Sequence, residues 1–433
     1  MKRMVIRQLI EKIEGEAELD YTFSEGRIED VKINFGFYRG IEEILEGKDP
    51  KDALVITPRV CGICNHAHLI AAVRAIEDGY ENAGVKIGLT QKAKNIREFT
   101  LACELLQNHI KWFYMTLLPN LEKYLKIVSE ENHAMKATYF STTITKALAI
   151  FSGQWPHSSY AIPGGVTCDP TQLDVMQAQS LLEECVRFFE QVVTACSLEK
   201  YLAIDSVSQL HKIEGDFGRL LHLLGSNGMA EMGQSYDRFI VFSDSFLSKA
   251  GKSIVTSVSK VDTRYVHESA QKGSVAKAVS YKNRLYETGP LARGMVSKEP
   301  IVKSLHKRYK DSLMTRVFAR VHEVALLLEE SRKLLKEIRV DEPSCTLEAE
   351  LKLYEFEGTG TVEAARGSLI HKTTVNNGVI VKYDIITPTQ WNLSHGNEKE
   401  KGIAVKAMVG SQSIEEADFI FRTFDVCSVC TAQ

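Results

Sequence analysis

The chain lacks the long apolar runs of membrane proteins and the charge imbalance of nucleic-acid-binding proteins. No apolar stretch approaches the roughly 18 residues that a membrane-spanning helix needs. The N-terminal segment MKRMVIRQLIEKIEGE is too charged for the apolar core of a signal peptide. A net charge of −3 gives no general attraction for nucleic acid or anionic lipid. We therefore expect a cytoplasmic protein that reaches a membrane only through a partner and that binds no nucleic acid.

Cysteine is too scarce for a disulfide scaffold. The 433 residues contain nine cysteines, which is also an odd number. Five of them are scattered along the chain, namely Cys103, Cys168, Cys185, Cys196 and Cys345. The other four form two C-x-x-C pairs, Cys61 with Cys64 and Cys427 with Cys430. A reducing compartment with thiols free for metal or redox chemistry is the better interpretation.

Local patterns predict strands near both ends and long helices between them. A Ser-Glu-Gly turn at 24–26 and an Asn-Asn-Gly turn at 376–378 each separate β-rich runs, which is typical of hairpins. Residues 89–119 read as one long helix that ends before Pro119. A second helix begins after Asp169-Pro170, with a core-facing stripe that starts at Leu173 and Met176, and a third carries apolar residues at helical spacing over 313–338.

These patterns predict an α+β protein that is mostly helical, with a central bundle of long helices and small β regions near both termini. We expect one large unit over 1–433, made of a β-rich N-terminal part (1–60), a helical core (61–340) and a β-hairpin and C-terminal metal-binding part (341–433). Residues 200–310 show no clear pattern. Because β pieces flank a helical middle, we expect the two termini to meet in space.

Two C-x-x-C pairs are compatible with four kinds of site. Four thiolates suit a zinc ion, but Cys64 and Cys427 are separated by almost the whole chain, whereas structural zinc sites usually join local loops. One pair alone could perform dithiol redox chemistry, but the βαβ context of that chemistry is absent. An iron–sulfur cluster and a buried catalytic metal centre are the other two interpretations. Spacing alone does not choose between them, because any soft metal accepts thiolate.

The residues around the two pairs resemble a known family. The segment PRVCGICNHAH contains R-x-C-G-x-C-x-x-x-H, and the C-terminal DVCSVCTAQ contains D-x-C-x-x-C. Together they closely resemble the two metal-binding motifs of the large, catalytic subunit of nickel–iron hydrogenases. Further segments resemble other blocks of that family in the family order: IEKIEGEAEL, RGIEEILEGKDPKDA, QNHIKWFY, PGGVT, EAARG and PTQWN. So many ordered matches make coincidence a poor explanation.

The resemblance implies a Ni-Fe centre on the four cysteines. Cys61 and Cys427 would be terminal nickel ligands, while Cys64 and Cys430 would bridge nickel to iron. Thiolates are soft, strongly donating ligands, which suits a nickel ion that changes redox state. In this family the iron also carries carbon monoxide and cyanide.

Four further residues match family positions around that centre. Arg366 of EAARG and Thr389 of PTQWN match the residues that donate hydrogen bonds to the diatomic ligands. His68 matches the motif histidine, which is expected to hydrogen-bond a cysteine sulfur. Asp425 precedes the terminal pair and is expected to orient Arg366.

The resemblance also implies that the protein cleaves and forms molecular hydrogen heterolytically, which requires a proton acceptor. Cys427 is the expected acceptor, and Glu14, which matches the glutamate of the family's R-I-E-G-H segment, would relay the proton. Arg366 is an alternative base. Because an arginine is hard to deprotonate, we expect Arg366 to shape the electrostatics instead.

A second metal, usually magnesium in this family, is expected near the C-terminus. Glu42 matches one of its ligands, and the carbonyl of Ile385 is another by position. Carboxylate and backbone oxygens suit such a hard cation. Gln433 stands where the family usually has a ligating histidine, and its side-chain carbonyl would be the third ligand.

The chain departs from the family pattern mainly close to the centre. Six residues replace common family residues: Lys12, Glu16, Asn108, Ala365, Val426 and Gln433. The cysteines, Glu14 and Arg366 are intact, so the chemistry is still expected, while its rate, direction and response to oxygen are open.

The electrons need a route that this chain does not offer. The scattered cysteines show no iron–sulfur spacing, and the family carries its iron–sulfur clusters in a small subunit, so we expect a heterodimer or a higher oligomer with that subunit. A maturation endopeptidase and nickel-insertion proteins are further expected partners. In most of this family the endopeptidase cuts three residues after the last cysteine, which is the position of Gln433.

Three other functions compete with a turnover enzyme. The main alternative is a hydrogen-sensing regulatory hydrogenase, in which the same site turns over slowly and signals to a partner. A related subunit of respiratory complex I shares the fold, but those chains have lost the cysteines that are present here. A zinc or iron–sulfur structural protein is the last interpretation.

Overall fold

The computed structural model describes residues 4–13, 15–36, 38–242, 262–271, 274–347 and 351–430. Its helices are α1 (Ile41–Leu45), α2 (Ala53–Ile56), α3 (Asn65–Asn82), α4 (Gln91–Lys111), α5 (Leu118–Leu125), α6 (His133–Ser152), α7 (Gln172–Phe188), α8 (Leu198–Leu202), α9 (Gly215–Ser226), α10 (Pro290–Val296), α11 (Pro300–Tyr309), α12 (Leu313–Lys336), α13 (Pro388–Leu393), α14 (Ile403–Met408) and α15 (Ile414–Arg422). Its strands are β1 (Met4–Ile13), β2 (Gly15–Ser24), β3 (Arg27–Asn34), β4 (Ala161–Ile162), β5 (Gly165–Val166), β6 (Val266–Gln271), β7 (Ser274–Tyr281), β8 (Phe356–Ala364), β9 (Gly367–Asn376) and β10 (Val379–Ile386). Glu14 and Gln433 lie outside the described residues.

A bundle of long helices forms the centre of the molecule, as the apolar periodicity predicts. Helices α4, α6, α7 and α12 pack against one another. Helix α12 shows why these segments are helical: Ser312 caps its N-terminus by accepting from the Thr315 N–H, and the inward stripe that includes Val317, Val321 and Leu328 is buried. The α+β fold class, mostly helical with small sheets, is therefore confirmed. The organisation as one unit over 1–433 stays a prediction.

The predicted end of the first long helix is wrong. Helix α4 ends at Lys111, a π-helical turn follows over Trp112–Leu117, and α5 then begins at Leu118 with Pro119 in its first turn. Proline is tolerated there because a first-turn N–H has no partner within the helix. The chain thus stays helical past the proline.

The predicted core stripe of α7 is wrong in its first turn. Leu173 is 72% exposed and Met176 is 57% exposed, although both have the helical spacing of the buried stripe. Val175, Ala178 and Leu182 face the core instead. The spacing alone did not show which face of the helix meets the bundle, since apolar residues lie on both faces.

Both predicted hairpins are present, and their turns explain the glycines. Asn377 and Gly378 join β9 to β10 with φ of 51° and 77°, and Glu25 and Gly26 join β2 to β3 with φ of 52° and 78°. Such left-handed pairs match the twist of antiparallel strands. The sheets run β1-β2-β3 and β10-β9-β8, and the pairs β4-β5 and β6-β7 are further hairpins.

Helix α3 lies directly on the C-terminal sheet. A Cβ on Gly360 would fall 1.9 Å from the Ala71 carbonyl oxygen, and a Cβ on Gly358 would fall 1.9 Å from that of Ala75. These two glycines are two residues apart on β8, so both lie on the face that meets α3. This close approach places the N-terminus of α3, which follows Cys64, beside the start of β9.

The two ends of the chain meet, as predicted. Gly15, the first residue of β2, lies so close to the C-terminal segment that a Cβ there would be 2.1 Å from Ser428 Oγ and 3.1 Å from Val429 Cγ1. Across the described ranges, no helix combines the length and apolar character of a membrane span.

Candidate metal centre

The first cysteine pair lies in a loop at the N-terminus of α3. A 3-10 turn over Thr57–Val60 leads into Cys61, whose backbone is extended, and Cys64 is the residue that precedes the helix. Arg39 supports the loop, because its Nη1 donates to the Val60 carbonyl at 2.7 Å. Both sulfurs therefore lie where helix N–H groups and the helix dipole favour negative charge.

A buried face of α4 holds this loop from the other side. Glu104 accepts from the N–H groups of His66 at 2.7 Å and Ala67 at 3.0 Å, and so caps α3. Burial raises the pKa of Glu104 to about 8 in spite of these hydrogen bonds. One turn later, Asn108 Nδ2 donates to the Ile63 carbonyl at 2.6 Å. Glu104 is not predicted from the sequence, since no motif links it to the cysteines.

The second cysteine pair lies in a 3-10 turn over Ser428–Cys430, shortly after α15. Asp425 adopts a left-handed backbone with φ of 56°, which turns the chain out of the helix towards the pair. Thr387 then fixes the turn, because its hydroxyl donates to the Cys430 carbonyl at 2.8 Å. The C-terminal pair is thus tied to the segment between β10 and α13.

Folding brings all four cysteine sulfurs together. Cys61 and Cys427 lie 3.7 Å apart, Cys64 and Cys430 lie 3.4 Å apart, and Cys427 and Cys430 lie 3.0 Å apart. All four are free thiols, and none is more than 6% exposed. The sequence separation of 366 residues across the first two contacts shows that only the tertiary fold builds this cluster.

The electrostatics of the cluster favour a bound metal. Hydrogen bonds with Cys427 and its neighbours, together with burial, hold the pKa of Cys64 and of Cys430 well above the usual range. Burial also raises the pKa of Cys61, but hydrogen bonds from Cys427 and Cys430 outweigh it and lower that pKa. Four buried thiols cannot all ionise on their own. Coordination to a divalent metal deprotonates a thiol outright, so this donor set suits a soft metal centre.

Arg366 lies beside the cluster and is held by Asp425. Its Nε donates to the Asp425 carbonyl at 2.8 Å, its Nη2 donates to Asp425 Oδ1 at 2.9 Å, and its Nη1 donates to Asn108 Oδ1 at 3.2 Å. Burial lowers the pKa of Arg366, but the Asp425 carboxylate and the cysteines outweigh burial and raise that pKa well above its ordinary value. Arg366 is therefore a fixed cation at the centre.

A second buried arginine shares the same carboxylate. Arg320 on α12 donates through Nη1 to Asp425 Oδ2 at 3.0 Å and to the carbonyl of Ala365 at 3.1 Å. Burial lowers the pKa of Arg320 to about 10 despite the nearby carboxylate. Arg320 thus supports Arg366 in two ways: it binds Asp425, the carboxylate partner of Arg366, and it binds the carbonyl of Ala365, the residue before Arg366. Arg320 is not predicted from the sequence, because it occupies an ordinary polar position in an amphipathic helix.

A small cavity adjoins the bridging side of the cluster. It is lined by Cys64, Ala67, His68, Ala364, Arg366, Leu369, Pro388, Thr389 and Cys430. Thr389 Oγ1 is buried and has no hydrogen-bond partner among the described residues. A ring nitrogen of His68 lies within 4.8 Å of the sulfurs of Cys64 and Cys430. Burial lowers the pKa of His68 to about 4, so the ring is neutral and carries one N–H.

A wider cleft of about 580 Å³ reaches Arg366 from another side. Its lining includes Asn108, Arg366 and Asp425 beside the centre. It also includes Met115, which is 38% exposed and lies in the π-helical turn that precedes α5. Small molecules therefore have a route from solvent to the residues that flank the cluster.

The residues predicted for a second metal also come together. Glu42 on α1 accepts from the Ile385 N–H at 2.7 Å and pairs with the Lys277 ammonium at 3.1 Å. The N–H and C=O of one strand residue point to the same side, so the Ile385 carbonyl also faces Glu42 at the open edge of β10. Lys277 lies 3.7 Å from Glu268, whose Oε1 is buried without a hydrogen bond. The third predicted ligand, Gln433, is outside the described residues.

The fold and the buried cluster of four cysteines define a protein that is able to bind a soft metal, and comparisons with known proteins identify its family. The family model described as "Nickel-dependent hydrogenase" matches residues 39–122 and 242–432. The chain is 26% identical to the periplasmic [NiFeSe] hydrogenase large subunit of Desulfomicrobium baculatum, over 92% of this chain and 88% of that protein. It is 24% identical to sulfhydrogenase 1 subunit alpha of Pyrococcus furiosus, over 98% of this chain and 96% of that protein.

The fold is shared with solved structures as well. The reduced Ni-Fe-Se hydrogenase of D. vulgaris Hildenborough superposes with a TM-score of 0.83 at 23% identity, covering 100% of both chains. Since the family model covers more than half of the sequence, the chain belongs to the nickel-dependent hydrogenase family, as a large subunit. It is an oxidoreductase that acts on hydrogen.

Proposed function

We propose that this chain cleaves and forms molecular hydrogen heterolytically at a nickel–iron centre and passes the electrons to an iron–sulfur small subunit. The observation that carries the proposal is the convergence of Cys61, Cys64, Cys427 and Cys430 in one buried cluster. A dithiol oxidoreductase needs only one such pair, and a local zinc site does not need both ends of the chain. Cys61 and Cys427 would be terminal nickel ligands, with Cys64 and Cys430 bridging to iron.

The cavity beside Cys64 and Cys430 supports an iron that carries small diatomic ligands. Its walls combine apolar side chains, which suit carbon monoxide, with the donors that cyanide needs. The Arg366 guanidinium keeps N–H groups beyond the three engaged by Asp425 and Asn108, and the Thr389 hydroxyl is free to donate. When bound, the nickel–iron centre supplies the two-electron redox chemistry that side chains lack.

The chain itself provides the proton route. Cys427 would hold the proton on its sulfur and pass it to Glu14. This route is supported by Gly15, which lies against Ser428 and Val429 and is covalently joined to Glu14. Arg366 is a poor base by comparison, since its guanidinium already donates to a carboxylate and a carbonyl. Its fixed positive charge instead stabilises negative charge at the cysteines.

The proposed partner is an iron–sulfur small subunit, in a heterodimer or a larger assembly. Among the described residues, the five cysteines outside the cluster enter no group of three metal-ligating side chains. Large apolar side chains are exposed on two adjacent helices, including Met135 and Tyr139 on α6 and Met176 on α7. Such side chains support a protein interface. A maturation endopeptidase and nickel-insertion proteins are proposed as transient partners, and a cytoplasmic location stays a prediction.

We also propose a magnesium ion at Glu42, the Ile385 carbonyl and Gln433. The oxygen donors that converge on β10 fit a hard cation. Glu268 Oε1 at the same place is buried, lies 3.7 Å from the Lys277 ammonium and has no hydrogen bond, so it can accept a further polar contact such as a water. Lys277 supplies positive charge between the two carboxylates.

Elemental analysis and infrared spectroscopy of the complex purified with its partner test the centre. The expected result is one nickel per large subunit, iron in excess of nickel because the partner's iron–sulfur clusters add to it, and carbonyl and cyanide stretches. A Cys430→Ser variant is expected to lose these stretches and hydrogen turnover, whereas the control Cys196→Ser, in a half-buried thiol outside the cluster, keeps both. Full turnover in Cys430→Ser, or matured protein without nickel, would contradict the proposal. Turnover with a dye acceptor separates the enzyme from a slow hydrogen sensor.

A further inference from the structure

Three buried side chains form a hydrogen-bonded row that ends at the metal centre. His68 Nδ1 lies 3.0 Å from His371 Nε2, and His371 Nδ1 lies 2.9 Å from Tyr383 Oη. His68 is 1% exposed, His371 is 0% and Tyr383 is 3%. The row begins beside the sulfurs of Cys64 and Cys430 and leads away from them into the C-terminal sheet.

Each member of the row stands on a regular element. His68 is in the first turn of α3, His371 is in β9 and Tyr383 is in β10. His371 pairs across the sheet with Gly360 on one side. That glycine is one of the two positions where α3 lies directly against β8, so the same contact that positions the helix brings His371 to His68. Regular elements hold side chains more accurately than loops do.

We infer that His371 and Tyr383 are positioning residues, which hold His68 in the tautomer whose Nε2–H faces the sulfurs of Cys64 and Cys430. This inference rests on the nickel–iron centre proposed above. It adds two residues that no motif of the sequence singles out, and it gives them a stated task.

The direction of the row follows from counting protons. Each neutral imidazole carries one N–H and the tyrosine carries one O–H, so each of the two short contacts holds a single hydrogen. In the first arrangement, Tyr383 donates to His371 Nδ1, His371 Nε2–H donates to His68 Nδ1, and His68 carries its proton on Nε2. In the second arrangement every donor is reversed.

The first arrangement is favoured at both ends. In the second, the Tyr383 hydroxyl hydrogen would need another acceptor, and the described residues provide none. Because His371 engages Nδ1 of His68, Nε2 is the ring nitrogen left for a sulfur, and in the second arrangement it would have no hydrogen to donate. In the first arrangement, the Nε2–H of His68 donates to a thiolate sulfur. A hydrogen bond to an ionised acceptor is stronger than one between two neutral groups.

The consequence is electronic. An N–H donor removes electron density from a bridging sulfur, and outer contacts of this kind tune the potential of a metal centre. Losing the donor leaves more density on the sulfur. An iron held there would then donate more electron density to a carbonyl ligand, so the carbonyl stretch would be expected at lower frequency.

Variants of the row test the inference in the matured complex, with nickel content and infrared band positions as the readouts. Tyr383→Phe removes only the terminal donor, and His371→Leu removes the link. His371→Gln keeps an amide N–H that can reach His68. Tyr201→Phe is the matched control, because Tyr201 is also buried and its hydroxyl has no partner.

We expect the carbonyl band to shift to lower frequency in Tyr383→Phe and further in His371→Leu, at full nickel content. We expect wild-type bands in His371→Gln and Tyr201→Phe. Unshifted bands in Tyr383→Phe and His371→Leu would overturn the inference alone, as would equal shifts in His371→Gln and His371→Leu. If His371→Leu does not bind nickel, the position of the carbonyl band in Tyr383→Phe alone tests the inference. The absence of a carbonyl band from the unsubstituted complex would instead overturn the proposed centre.

Discussion

The Asp425 carboxylate is the most consequential single charge behind the metal centre. It accepts from Arg366 Nη2 at 2.9 Å and from Arg320 Nη1 at 3.0 Å, and all three side chains are no more than 7% exposed. Asp425→Asn keeps the size of the side chain, and asparagine tolerates the left-handed backbone at this position. The substitution therefore isolates the charge.

The expected cost follows from the two arginines that lose their counter-charge. Removing one partner of a buried ion pair costs about 3–5 kcal/mol, because the remaining charge is left uncompensated. An unfolding entropy of about 2.1 cal/mol/K per residue gives a chain of 433 residues about 0.9 kcal/mol/K. The melting temperature should therefore fall by about 3–5 °C. Arg366 would also lose a fixed orientation, so hydrogen turnover should fall as well.

Differential scanning calorimetry of the purified complex measures the shift. Asp20→Asn is the control, since Asp20 pairs at 2.6 Å with Arg7, whose side chain is 63% exposed, and such pairs contribute about 0–1 kcal/mol. Adding Arg320→Met to Asp425→Asn should recover part of the loss, because one uncompensated guanidinium is removed. A melting temperature no lower than that of the control, or no recovery in the double variant, would refute the reasoning.

Three other variants probe the support of the centre. Gly360→Ala places a Cβ 1.9 Å from a backbone oxygen of α3 and should lower stability by about 1–3 kcal/mol and reduce nickel content, whereas Gly225→Ala, with open space around it, should change neither. Burial raises the pKa of Glu104 from 4.5 to about 8, so the contribution of Glu104 to stability falls as pH rises through that range. The melting temperature of Glu104→Gln relative to wild type should therefore increase from about pH 5 to 8. A difference that does not change with pH would contradict this. Glu42→Gln should lose bound magnesium but keep nickel in elemental analysis, with the exposed Glu46→Gln as control.

Local patterns predicted much of the secondary structure. The two hairpins follow from dipeptides that favour left-handed backbone, and the long helices follow from apolar spacing. The wrong predictions have two different causes. Leu173 and Met176 have helical spacing but face outwards, because spacing gives a face and only the neighbouring helices decide whether that face is covered. Pro119 predicts the end of a helix, but it lies in the first turn of α5, which follows directly on a π-helical turn.

The candidate site divides in the same way. The four cysteines, Arg366 and Thr389 belong to recognisable motifs, and the structure brings them around one cluster and its cavity. Glu104, Arg320 and His371 were not predicted, although each touches a residue of the site or its support. Their side chains are ordinary in sequence, and their roles depend on partners far along the chain, as the separation of 105 positions between Arg320 and Asp425 shows.

The sequence by itself determined the donor set of this protein, because two C-x-x-C pairs supply four soft thiolates, and the residues that flank them show which family the chain resembles. Only the tertiary structure decided how those ligands meet. Contacts across 366 residues join Cys61 to Cys427 and Cys64 to Cys430, and they exist because α3 rests on glycines of β8 while the N-terminal sheet closes over the C-terminal turn. The tertiary structure also set the environment, since burial and fixed cations, which local sequence does not encode, control whether four thiols at one point can ionise.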